Sequence, residues 1–241
     1  MKIKLLILQI LICSVSFAQE KSYRFVYDFH QNVVLDEETK KSHAKDFLVK
    51  IQNALNESYE FEIIASEKFS LLKLIEKIKN EQSGDVIRIH PEPEWLLVDF
   101  QKNETFNFTQ SADAYIKDSI QTIQLTPTRN KKVILGIEAR EFTVEKGNYD
   151  YSFWLAQQNG ITVSPIEYQF KGYIILELNV KSKRLPEYNS SKDQQYILKE
   201  ITEEKLPFNY NKTIPKKTIT KEELEILINK RKQMLESGVE K

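Results

Sequence analysis

An imidazole and two carboxylates crowd five positions in the segment His90-Pro91-Glu92-Pro93-Glu94. A histidine that moves a proton beside paired acids could serve a hydrolase, and the same three groups could ligate a metal. The backbone argues against both uses. Pro91 and Pro93 hold the segment extended, so Glu92 and Glu94 leave from similar sides, and the other histidines, His30 and His43, lie at no ligand spacing from it. A solvated loop between two strands explains the composition. A hydrolase working through His90, Glu92 or Glu94 stands as the alternative reading, not the first.

Other chemistries find less material. No serine sits in a glycine-flanked elbow, and six glycines in 241 residues leave no phosphate-cradling loop. The single cysteine, Cys13, lies in the apolar N-terminal run. The sequence therefore assigns no catalytic, cofactor-binding or metal-ligating residue, and no cofactor is expected.

The first residues, MKIKLLILQILICSVSFAQ, set Lys2 and Lys4 before an apolar run and end in the small residues Ser16 and Ala18. That is the pattern of a secretory signal peptide over residues 1–18, cleaved between Ala18 and Gln19. Cys13 follows Ile12 rather than a small residue, which reads as soluble export and not as a lipid anchor. The expected location is the periplasm or the exterior, with association to the outer membrane open. Without the leader, 33 basic residues face 35 acidic ones, a net charge of −2. Such balance gives no electrostatic reason to expect nucleic acid. No later apolar stretch reaches the roughly 20 residues of a spanning helix. Residues 19–241 are read as a single domain.

The elements follow from hydrophobic period. Tyr23, Phe25, Tyr27 and Phe29 alternate as a half-buried strand, as do Tyr59, Phe61 and Ile63. Residues 44–55 read first as a helix carrying Phe47, Ile51, Ala54 and Leu55, while the alternation of Phe47, Val49 and Ile51 leaves a strand open. Ser66 could cap a second helix with Leu71, Leu74, Ile75 and Ile78 at helical spacing, running to Ser83-Gly84 and covering the sheet. Short strands are expected at 86–89, 95–100 and 105–108. Longer ones, Lys132–Glu145 and Tyr149–Gln157, flank Lys146-Gly147-Asn148 as a hairpin, with Trp154 opposite the Tyr151 and Phe153 face. Tyr196–Ile201 is a last short strand after a polar loop. Thr220 and Glu223 form a capping box before a terminal helix over about 221–236, whose stripe Leu224, Leu227, Ile228, Arg231, Leu235 would pack on the sheet or on a neighbouring subunit. In SPIEYQFKGYIILELNV (164–180) the apolar residues alternate throughout, which predicts one long strand from about Tyr168 to Lys181, bent or bulged at Gly172.

The pieces YEFEIIASEKFSLLKL (59–74), YIKDSI (115–120), KKVILGIEAREFTV (131–144), YSFWLA (151–156) and SPIEYQFKGYIILEL (164–178) occur in an order that resembles the GLPGLI family of exported Bacteroidota proteins. The motif that names the family is absent, and Ala139 stands where members commonly carry a cysteine. The resemblance implies no defined activity. With the strand order it implies an α+β fold, a curved antiparallel sheet packed against a few helices like that of periplasmic lipoprotein carriers. The expected role is a non-catalytic binding or interaction module of the cell envelope, taking an apolar ligand or an envelope protein partner. Asp118-Ser119-Ile120 resembles the O-glycosylation acceptor of exported proteins in that phylum, which makes Ser119 a candidate modification site. Five Asn-x-Ser/Thr matches, at Asn56, Asn103, Asn107, Asn189 and Asn211, are expected by chance in a chain this rich in those residues.

Overall fold

The structure, a computed structural model, describes residues 21–35, 40–41, 43–75, 91, 93–109, 113–158, 160–183, 191–204 and 209–236. The strands are β1 (Tyr23–Val34), β2 (Tyr59–Ala65), β3 (Phe69–Ile75), β4 (Trp95–Asp99), β5 (Glu104–Thr109), β6 (Ala114–Ser119), β7 (Thr126–Ile134), β8 (Ile137–Lys146), β9 (Tyr149–Gln157), β10 (Tyr173–Ser182), β11 (Ser191–Glu203) and β12 (Thr218–Ile219). They form one sheet in the order β12-β6-β5-β4-β3-β2-β1-β11-β10-β9-β8-β7. Every pairing is antiparallel except that of β12 with β6. Of the helices, α1 (Lys45–Leu55) touches β1, α2 (Tyr210–Thr213) packs Tyr210 over β3, β4 and β5, and α3 (Lys221–Glu236) touches β6. The fold is thus mostly a large open antiparallel sheet, and α+β describes it only loosely.

Alternation decides which face is apolar. Phe25, Tyr27 and Phe29 of β1 stand opposite Ile63, Phe61 and Tyr59 of β2. On the other side Tyr27 and Phe29 stand opposite Leu198 and Tyr196 of β11, and the row continues through Leu178 and Phe153. Most of these side chains are 0–2% exposed. Phe29 lies 4.7 Å from the Tyr196 ring and edge-on to Phe61 at 5.8 Å. Such aromatic pairs contribute about 0.5–1.5 kcal/mol each beyond burial.

No helix covers this face among the described residues. The chain between β9 and β10 does so. Phe170 stands edge-on to Phe153 at 5.1 Å, and Tyr168 edge-on to Tyr151 at 6.0 Å. Ile161 and Val163 are buried in the same cluster, where Ile120, Ile123 and Leu125 also pack. Val163 bonds to the start of β10 through its N–H to Tyr173 O and its carbonyl from Ile175 N–H. The Tyr27 hydroxyl donates to Ile175 O at 2.7 Å, tying β1 to β10 beneath this plug.

The expected helix after Ser66 is instead β3, paired with β2 and β4. Its period of two is lost because both faces are covered. Leu72 joins the main core, while Leu71 packs with Leu97 and Phe106 under Tyr210 and Ile214 on the reverse face. A strand buried on both sides carries consecutive apolar residues, and LLKLI mimics helical spacing. Ser66 does accept a backbone N–H, from Lys68 at 3.2 Å, but in the β2–β3 turn. The end expected at Ser83-Gly84 and the strand expected at 86–89 lie outside the described residues.

Lys132–Glu145 is not one strand. The chain reverses at Leu135-Gly136, both at positive φ (51° and 77°), the twist a two-residue hairpin requires. β11 runs to 13 residues where a short strand over Tyr196–Ile201 was expected. The capping box forms as expected: Thr220 N–H donates to the Glu223 carboxylate at 2.8 Å and Glu223 N–H to the Thr220 hydroxyl at 3.2 Å.

The long strand expected from Tyr168 to Lys181 is also corrected. Tyr173 N–H bonds to Phe170 O at 2.9 Å, closing a tight turn at Lys171-Gly172, and β10 begins only at Tyr173. Gly172 has φ +78°, and its N–H donates to the Thr162 hydroxyl at 2.9 Å. The alternation that looked like a strand belongs to two segments, because Tyr168 and Phe170 face the core from the plug. A Cβ at Gly172 would lie 3.7 Å from Gln158 O, an ordinary contact, so only the backbone resists a side chain. Gly172→Ala should therefore cost about 1–2 kcal/mol in urea denaturation, and an unchanged midpoint would contradict the turn.

Candidate functional site

The reverse face over β2, β1 and β11–β7 carries polar residues by the same alternation, and they join across strands. Arg24 Nε donates to Glu62 at 2.8 Å, and Lys199 bridges Asp28 and Glu60 at 3.2 and 2.9 Å. Gln195 donates to Asn179, Asn179 to Glu177, and Lys132 to Glu177 at 2.6 Å. The Lys132 ammonium also lies 4.0 Å above the Trp154 ring, on the face expected for that tryptophan.

Beyond it Ser152, Thr128 and Asn130 all donate to the Glu141 carboxylate at 2.7–3.0 Å. The Ser152 bond, with those of Asn130 and Thr128 and the charge of Lys132, outweighs partial burial and holds the Glu141 carboxyl below its usual range. Thr128 and Asn130 reach one carboxylate because β7 bulges between Pro127 and Lys131.

A groove of about 380 Å³ lies on this face across β7 to β10. Its floor is a row of registered residues, Thr143, Ser152 and Asn179, with Glu145, Asp150 and Lys181 one step along and Thr126 at the β7 side. Strand spacing of about 5 Å puts a hydrogen-bonding group at each step of the row. Lys183 closes one end, pairing with Glu145 at 2.5 Å and Asp150 at 3.2 Å. Val144 and Tyr151 complete the lining, so the groove sets hydroxyls, an amide, carboxylates and an amine beside some apolar surface, a mixture that suits a partner's surface.

The residues singled out by sequence do not meet there. His90 and Glu92 lie outside the described residues, as do Ala18 and Gln19 of the cleavage site. The Glu94 carbonyl accepts from Leu74 N–H at 2.8 Å, at the edge of the β3–β4 pairing. His30 shares a 2.7 Å hydrogen bond with Ser58, and His43 stacks on Phe47. Among the described residues no group of three His, Cys, Asp or Glu could hold a metal ion. Ser119 is exposed at the end of β6, its N–H donating to Asp118.

The groove was missed because sequence reasoning sought convergent catalytic types, not a row of hydroxyls and amides. The signal was present in part. The hairpin at Gly147 fixes Thr143 opposite Ser152 and Glu145 opposite Asp150, whereas nothing local places β10 beside them.

No protein-family model and no curated protein matches this chain. Among solved structures, PNGF-II in a P21 crystal form is 12% identical with a TM-score of 0.54, over 86% of this chain and 33% of PNGF-II. Its C2 form gives 15% identity and a TM-score of 0.48, over 83% and 30%. A DUF1329 family protein from Desulfovibrio piger is 9% identical with a TM-score of 0.26, over 80% and 89%. The chain spans about a third of PNGF-II. Of these likenesses the first alone is strong enough to speak, and it speaks for the fold. Among the described residues no helix is long and apolar enough to cross a membrane.

Proposed function

We propose that this chain is an exported, non-catalytic interaction module of the cell envelope, a divergent GLPGLI-like protein whose partner is another envelope protein. The observation that carries the reading is the occupied apolar face. A carrier of apolar ligands presents an open hollow, whereas here Tyr168, Phe170, Ile161 and Val163 fill the space over Phe153 and its neighbours. The lipoprotein-carrier analogy is retained for the sheet's architecture and not for its cargo. The polar groove over Thr143, Ser152 and Asn179 is the surface we assign to the partner.

A photo-crosslinking residue at position 143 tests this in living cells. One envelope protein should be captured there, and Asn179→Trp, which fills the groove, should reduce its capture about tenfold or more. Capture unaffected by Asn179→Trp would take the partner off this surface.

A further inference from the structure

The β7–β8 hairpin ends in exposed aliphatic side chains. In its segment RNKKVILGIEAR (129–140) the ladder partners Ile134 and Ile137 pack against the core, while Val133 is 69% exposed and Leu135 52%. A Cβ built at Gly136 would meet nothing within 4 Å, so among the described residues the turn stands clear of other elements.

Leu135 is the sharper anomaly. It holds φ 51° at a turn position that asparagine or glycine adopts readily and leucine adopts at a cost. A large apolar side chain that is both strained and wet does nothing for the hairpin's own stability. Strain of that kind points to a use at the tip itself.

The surrounding charge indicates the surface it meets. Four bases, Arg129, Lys131, Lys132 and Arg140, flank the aliphatic tip against one acid, Glu138. Lys131 is paired with Glu138 at 3.1 Å and Lys132 with Glu177 at 2.6 Å. Arg129 and Arg140 are exposed and have no ion pair among the described residues. The ladder sets Arg140 directly opposite Lys131, on the face that carries Val133, a like-charge pairing that weakens a hairpin. Apolar side chains at a tip with cations behind them match the layers of an anionic bilayer, phosphates at the surface and acyl chains beneath.

We propose that the β7–β8 hairpin is a membrane-contact wedge: Val133 and Leu135 enter the outer layer of an anionic phospholipid surface, and Arg129 and Arg140 meet its phosphates. Each base near such a surface strengthens binding about fivefold, and the aliphatic pair adds to it. Two side chains on a turn make a wedge and not a pocket, so the contact is reversible, weakens with salt and holds no single lipid. It is independent of the protein partner assigned to the groove.

Flotation of the exported chain, residues 19–241, with phospholipid vesicles tests this. Vesicles of phosphatidylcholine with phosphatidylglycerol should carry the protein, less so as salt rises, and vesicles of phosphatidylcholine alone should bind it about tenfold more weakly. Arg129→Gln with Arg140→Gln should weaken binding to the anionic vesicles about tenfold or more, and Val133→Thr with Leu135→Asn should do the same. Leu135→Asn alone, which puts a residue suited to positive φ in the turn, should raise the urea midpoint while lowering vesicle binding, a pair of effects that no folding defect could give. Absence of binding, binding unchanged by either pair of substitutions, equal binding to neutral vesicles, or a midpoint lowered by Leu135→Asn would overturn the proposal. So would loss of partner capture at position 143 in these variants without vesicle binding, which would give the tip to that protein.

Discussion

Phe153→Ala should remove about 3–5 kcal/mol of stability, a large part of what a domain of this kind possesses. The ring is fully buried between two layers. Below it the ladder places it opposite Leu178 and Phe142, and above it the Phe170 ring stands at 5.1 Å. The Tyr151 ring stacks beside it at 5.8 Å, and burial pushes that phenol up to about 12. Truncation opens a cavity that the antiparallel ladder, bonded on both sides of β9, cannot collapse to fill. Urea denaturation gives the magnitude, and tryptic cleavage after Lys171 supplies a second readout, because loosening the plug should expose that site. A loss under about 1 kcal/mol, with Lys171 still protected, would mean that the plug does not seal the apolar face.

Asp99→Ala is the second large effect, about 2–3 kcal/mol, and it concerns the reverse face at the other end of the sheet. Asp99 is 4% exposed, and its carboxylate accepts the N–H groups of Gln101 and Lys102, both at 3.0 Å. The Tyr210 hydroxyl donates to it as well, and the Lys102 ammonium lies at 3.4 Å. Burial alone would raise this carboxyl, but the hydrogen bonds from Tyr210 and Lys102 outweigh it and hold the group below its ordinary 3.8. Burial and the Asp99 bond push the Tyr210 phenol the other way.

A carboxyl depressed in the folded state stabilises above its unfolded value and loses that contribution as pH falls through the folded one. Acid unfolding below 3.8 should therefore be less steep in Asp99→Ala than in the unmodified protein. The structural consequence is local: Tyr210 stacks on Phe69 at 5.8 Å and roofs Leu71, Leu97 and Phe106, so the variant should release the 209–219 segment first. Asp99→Asn, which keeps the shape and loses the charge, should be intermediate in stability at neutral pH and share the shallow acid limb of Asp99→Ala. Equal acid limbs in all three proteins would rule out this clasp.

Legibility in the sequence followed burial. β1 could be read because one of its faces is buried and the other wet, so Tyr23, Phe25, Tyr27 and Phe29 alternate cleanly. β3 could not, because the tail carrying Tyr210 and Ile214 covers its second face from 140 residues away, and local pattern holds no trace of that. The Lys171-Gly172 turn was hidden by coincidence of phase: Phe170 and Ile174 both face the core, one from the plug and one from the ladder. Leu135 was hidden by its type, since a leucine at φ 51° is not a recognised turn residue. Of the candidate groove, the hairpin register was legible and the contribution of β10 was not, because a 15-residue connection separates β9 from β10.

Native mass spectrometry of the protein released gently from its envelope tests the central claim most directly. A filled apolar face and a polar outer groove predict a complex with a second polypeptide and no lipid bound to the chain. A stoichiometric lipid on the chain, or the bare chain alone under conditions that retain known envelope complexes, would contradict the account.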